Sequence, residues 1–135
     1  MNKYRDLRVW QKSMDLVIKV YKLTKNFPDT EKFGLISQMN RSAVSVPSNI
    51  AEGAGRNNPK EFYQFLGIAK GSLADLETQL EISKRLEFQN NSDFSELFEL
   101  TDHVGRMISK LQIAIKDSGY NNVTEPLELY NQIEK

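Results

Sequence analysis

His103 is the only histidine in the chain, and there is no cysteine. A thiolate nucleophile, a disulfide framework and thiolate metal sites are therefore excluded, and the composition fits a reducing compartment without proving one. Carboxylates remain as candidate metal ligands. Di-metal helical bundles hold their ions with Glu-x-x-His pairs on two helices. Glu99 and His103 come nearest to that motif, but one residue too far apart and without a second pair. His103 is accordingly read as a surface or boundary residue, and Glu77, Glu81 and Lys84 as a solvated face with local ion pairing. The sequence predicts no enzyme, no cofactor, no metal and no small-molecule substrate.

Two other patterns could bind a ligand. Gly53-Ala54-Gly55 invites comparison with a phosphate cradle, but a P-loop needs G-x-x-x-x-G-K-[ST] after a strand, and neither that spacing nor G-x-G-x-x-G occurs. Two glycines before a helix start read as a helix stop and turn. The other pattern is a set of cations, Arg5, Arg8, Lys12, Lys19, Lys22, Lys25, Arg41 and Arg56. They form a candidate surface for RNA, DNA or another partner; the competing reading is a solvated face or a subunit contact. Residues 1–60 hold 11 Lys/Arg against 5 Asp/Glu, a balance of +6, and residues 61–135 hold 7 against 13, a balance of −6. The total is zero, which argues against wholesale nucleic-acid binding, since that is driven by phosphate neutralisation. A basic half still leaves one face open to it.

The elements that would position these residues are helices. Leu7, Trp10, Met14, Val17 and Tyr21 step 3-4-3-4, and Phe33, Ile36, Met39, Ala43, Val46 and Ile50 step 3-3-4-3-4. Phe62, Leu66, Ala69, Leu73, Leu76 and Leu80 form a third seam, and Leu97, Thr101, Val104, Ile108, Leu111 and Ile115 a fourth. Periods near 3.5 belong to helices packed at shallow angles. The expected helices are 7–27, 30–55, 59–88 and 93–118. Asp29 or Thr30 would cap the second, Asn58 would cap the third with Pro59 at its first position and Glu61 reaching back, and Gly119 would follow the fourth. Short connections between long helices force antiparallel neighbours. The fold class is all-α, an up-down-up-down four-helix bundle over residues 1–119, with 120–135 a loose or partly docked tail. No apolar run reaches the length of a membrane span and no apolar leader opens the chain, so the expected location is cytoplasmic.

Apolar residues exceed one stripe per helix. Val9, Leu16, Ile18, Val20 and Leu23 add to the first seam, Phe65 and Ile68 to the third, and Phe94, Phe98, Leu100 and Met107 to the fourth. Either the core is wide or a further face is buried against another subunit. If the helix 1–2 side is basic and the helix 3–4 side acidic, neighbouring copies attract head to tail, a contact that closes into rings when the rotation permits. Alternatively the charges satisfy each other within one bundle. Gly67 and Gly71 form a small-xxx-small pair that would let a neighbouring helix approach.

Pro47 stands within the second seam. Because Val46 and Ile50 continue that seam on both sides, a kinked but continuous helix is expected, with Ser42, Ser45 and Ser48 able to help local backbone bonding. The kink would aim Asn49, Glu52 and Arg56, at i, i+3 and i+7, along one face.

The runs SVPSNIAEGAGR and EFYQFLGIAKGSLADLETQLEIS, preceded by LRVWQKSMDLVIKVYKLTKNFP, resemble a bacterial four-helix-bundle family first noticed as reading frames in intervening sequences of large-subunit ribosomal RNA genes. The resemblance covers nearly the whole of residues 4–118. It implies an antiparallel bundle assembled as a ring-shaped homopentamer. Pro47, Asn49, Glu52 and Gly53 would then form a family structural segment. The chain is also similar to accessory proteins of diversity-generating retroelements, which bind nucleic acid and a reverse transcriptase; those are strongly basic, whereas this chain is neutral. The function expected is a non-enzymatic oligomeric scaffold that presents a basic surface to nucleic acid or a nucleic-acid-processing partner, with a purely protein-binding or structural module as the alternative.

Overall fold

The structure, a computed structural model, describes residues 3–120. Four α-helices occupy most of this span: α1 Arg8–Thr24, α2 Leu35–Gly55, α3 Pro59–Arg85 and α4 Asn91–Asp117. Single 3-10 turns at Lys3–Asp6 and Asp29–Glu31 precede α1 and α2. Among the described residues there is no strand. The expectation for a tail lies outside the described residues beyond Tyr120, which itself packs edge-on against Tyr63 at 5.8 Å.

Each helix packs against its two neighbours in the cyclic order α1–α2–α3–α4. Cross-helix bonds give the direction. Thr24 Oγ1, late in α1, bonds Asn40 Oδ1, early in α2, at 3.1 Å. Ser83, late in α3, meets the sulfur of Met39, and Gln112 Nε2, late in α4, donates to the carbonyl of Tyr63, early in α3, at 3.2 Å. Every adjacent pair is antiparallel, as short connections require. Phe27, Phe88 and Phe94 from the connections and the start of α4 stack at one end, 5.3 and 6.4 Å between ring centroids.

Helix boundaries follow local chemistry. The Asn58 side chain accepts from the Glu61 amide at 3.1 Å and Pro59 occupies the first turn of α3. The Glu61 carboxylate does not close a capping box; it lies 3.6 Å from Arg56 instead. Asn90 caps α4 in the same way as Asn58 caps α3. α2 starts later than expected. Asp29 and Thr30 stand in the 3-10 turn, and α2 begins after Gly34 with no side-chain cap. Gly119 has φ +72 just past α4, the left-handed stop that glycine adopts without strain. The turn after α2 uses Asn57 for the same purpose, at φ 53, while Gly53 and Gly55 remain helical.

The seams of α3 and α4 are buried throughout, as is the α2 seam from Met39 to Ile50. α1 is different. Its core face is Val9, Ser13, Leu16, Val20 and Leu23, a 4-3-4-3 series interrupted in hydrophobicity by Ser13, whose hydroxyl is satisfied by the Trp10 carbonyl at 2.8 Å. Of the expected seam only Leu7 and Val17 are buried. Met14 and Tyr21 are exposed, and Trp10 is half-buried beside Tyr4 rather than in the core. The Gly67–Gly71 pair also differs from expectation. A Cβ at Gly71 would meet nothing within 4 Å, and one at Gly67 only Gln112 at 3.6 Å. The close helix contact is at Gly53, where a Cβ would stand 2.7 Å from Phe65 Cβ and 2.9 Å from Phe62 Cδ1.

Candidate interaction surface

α1 divides into three faces. One is the core stripe just described. Another, by register, carries Arg8, Lys12, Asp15, Lys19 and Lys22 toward α4, where Lys19 pairs with Glu96. That hydrogen bond, with the carboxylate charge behind it, holds the Lys19 ammonium above its ordinary pKa. The third face points outward on the α2 side and is apolar: Met14 at 37% exposure, Ile18 at 53% and Tyr21 at 47%.

This third face continues onto the α1–α2 connection. A groove of about 550 Å³ is lined by Ile18, Tyr21, Lys22, Lys25, Phe27, Lys32 and Ile36, among others. Phe33, next in sequence to the groove residue Lys32, is 90% exposed, with the Lys32 ammonium 5.7 Å from its ring centre. On α2, Val44 is also exposed, one turn from Arg41. Among the described residues Lys22 and Lys25 form no ion pair.

The eight cations do not form one patch. Lys22, Lys25 and Arg41 belong to the end where α1 finishes and α2 begins. Arg5 lies at the opposite end over Tyr4 and Trp10, 5.7 and 5.6 Å from their rings. Arg56 is at that end too, bonded to Glu52 at 3.2 Å, close to Glu61, and 5.1 Å above the Phe65 ring. Lys32 and Phe33 do not stand out as surface residues in the sequence, because Phe33 extends the α2 seam by one step. Gly34, which ends that seam locally, is the signal that separates Phe33 from it.

The proline segment faces α3. α2 runs unbroken through a buried Pro47. Asn49 Nδ2 donates to the Ser45 carbonyl at 2.8 Å and to its hydroxyl at 2.9 Å, and the Ser45 and Ser72 hydroxyls lie 2.8 Å apart. Glu52 and Gly53 follow, the first pairing with Arg56 and the other seated on Phe62 and Phe65. The Ser45–Ser72 contact thus joins the middles of α2 and α3, and Gly53 seats the end of α2 on the start of α3.

His103 and Glu99 are exposed on α4. No group of three or more His, Cys, Asp or Glu side chains able to hold a metal occurs among the described residues, and no described helix is long and apolar enough to cross a membrane.

The four helices and their antiparallel packing define an all-α four-helix bundle. The family model for 23S rRNA-intervening sequence proteins matches residues 5–110, and the chain belongs to that family. Among solved structures it is similar to a protein of unknown function from the S23 ribosomal protein family of Bacteroides thetaiotaomicron, with 21% identity and a TM-score of 0.70, covering 77% of this chain and 97% of the other. At that identity the likeness shows the fold. No curated protein matches the chain.

Proposed function

We propose that the protein is a non-enzymatic scaffold that assembles with copies of itself and offers the assembled surface to a partner. The observation that carries this reading is the outer apolar stripe of α1. The bundle core takes Val9, Leu16, Val20 and Leu23, and leaves Met14, Ile18 and Tyr21 along the outer side of the helix. Contiguous exposed apolar area of this kind, rimmed by charge, marks an interaction surface. The family resemblance supports a closed ring of five. A cytoplasmic setting belongs to this reading, and a cysteine-free composition is compatible with it.

Native mass spectrometry of protein purified without nuclease treatment tests the reading. A multiple of the chain mass supports it, five being the number expected. A monomer at micromolar concentration overturns it.

A second reading has its own observation. Lys22, Lys25 and Lys32 line one groove with Tyr21, and Lys32 also lies over the exposed Phe33 ring; cations interleaved with exposed aromatic faces suit single-stranded nucleic acid. It predicts retardation of labelled RNA or DNA with an affinity that falls linearly against log salt. Absence of any shift at low salt and micromolar protein removes it. The protein-binding form is the stronger, because Lys19, Arg5 and Arg56 are already engaged within the chain.

A further inference from the structure

The outer side of α3 near its C-terminal end carries the counterpart of the α1 face. Ile82 and Leu86 are exposed at 44% and 53%. Ile82 lines a shallow groove with Phe98 of α4, and Glu77 and Glu81 border it. Apolar side chains are thus framed by acids here, and by lysines on α1.

The position of the two faces matters as much as their chemistry. α1 and α3 are diagonal in the cyclic order, so their outer sides point in opposite directions. They also run parallel, so their C-terminal ends lie at the same end of the bundle, as the contact of Phe27 with Phe88 shows. A contact between the two faces therefore joins different patches of two copies at the same level. Repeated, it propagates sideways, a heterologous geometry that closes into a ring when each contact adds the required rotation and stays open otherwise.

We propose that the α1 face of one copy, with Ile18 and Tyr21 framed by Lys22 and Lys25, seats on the α3 face of a second copy, with Ile82 and Leu86 framed by Glu77 and Glu81. This rests on the assembly reading above and names its contact. The occupant is a second copy because the chain itself supplies the complementary partner: apolar on apolar, lysine against glutamate. The minority charges fit the same pairing, since Asp29 lines the lysine-rich groove and Arg85, bonded to Glu81 at 3.1 Å, lines the acidic one. Phosphate would be repelled by the α3 face, so nucleic acid does not explain both.

Charge reversal on each face tests the proposal, read by light scattering at fixed salt with helicity followed by circular dichroism. The variants are K22E/K25E, E77K/E81K and the combination of all four. Each double variant is expected to weaken self-association by roughly tenfold or more, as misplaced like charges do across an interface. The quadruple variant, in which both faces are reversed, is expected to regain it. Helical double variants that assemble like the wild type, or a helical quadruple variant that stays as dissociated as the doubles, overturn this docking while leaving assembly itself intact. A wild-type chain that remains a monomer overturns both the docking and the assembly reading.

Discussion

Gly53 and Gly71 both lie inside helices, and the same substitution acts on them in opposite directions. Alanine is favoured over glycine in a helix interior by about 1 kcal/mol. At Gly71 nothing opposes that gain, because a Cβ would enter open space. Gly71→Ala is expected to stabilise the chain by about 0.5–1 kcal/mol in urea unfolding. At Gly53 a Cβ would stand 2.7 Å from Phe65 Cβ, an atom tied directly to the backbone. Overpacking costs typically about 1–3 kcal/mol, so Gly53→Ala is expected to destabilise despite its better propensity; an unfolding midpoint at or above wild type would contradict the close approach. Spacing alone points to Gly67 and Gly71, because small residues one turn apart are visible in one dimension. The neighbour that makes glycine necessary at Gly53 is Phe65, across the turn into α3, and that contact exists only in three dimensions.

At the scale of the helix, α1 shows why periodicity can name an element and misplace its face. Residues 7, 10, 14, 17 and 21 and residues 9, 13, 16, 20 and 23 follow the same 3–4 stepping, and the series that starts at Leu7 contains the larger side chains. Ser13 interrupts the apolar run that starts at Val9, although its hydroxyl is satisfied by its own helix. α3 and α4 also carry extra apolar residues, but on each the seam read from sequence is the face the core buries. The assignment has a direct test. Leu16→Ala is expected to cost about 2–5 kcal/mol as a buried truncation, and Met14→Ala to stay within about 1 kcal/mol; the reverse order would return Met14 to the core. Capping gives a smaller effect, with Asn58→Ala expected to cost about 1 kcal/mol through loss of its bond to the Glu61 amide. Between helices, the Lys19–Glu96 pair adds a pH signature to the α1–α4 seam. Its hydrogen bond raises the Lys19 pKa. A raised pKa on a cation means stabilisation that is complete below the unfolded value and lost as pH rises through the folded one. Both side chains are well exposed, so the effect is small. The thermal midpoint of Glu96→Gln is expected to fall slightly below wild type at neutral pH and to meet it in strongly alkaline buffer; a gap that persists unchanged there would assign the effect to something other than this pair.

For the whole molecule, fold class was legible because four amphipathic runs joined by short connections admit few arrangements. The contact surface was only half legible. An apolar surplus on α1 could be counted, but whether it lay inside depended on which stripe the core selected. The helices are also unequally held. α2 and α3 form the most extensively packed pair, fastened by Gly53, the Ser45–Ser72 contact and Arg56, while α1 and α4 share the least contact. Regions with fewer tertiary contacts open at lower free energy, and amide hydrogen exchange reads that order. In dilute protein, amides in α1 are expected to exchange faster than those in the middle of α2 and α3. If a second copy covers Ile18 and Tyr21, association adds to the cost of opening α1, and its protection must rise with protein concentration by mass action. The same measurement across a concentration series therefore separates two origins of order in α1. Protection that grows with concentration in α1 while α2 stays constant means that α1 is held from outside the bundle; protection independent of concentration, in a range where the mass changes, would place the intermolecular contact elsewhere.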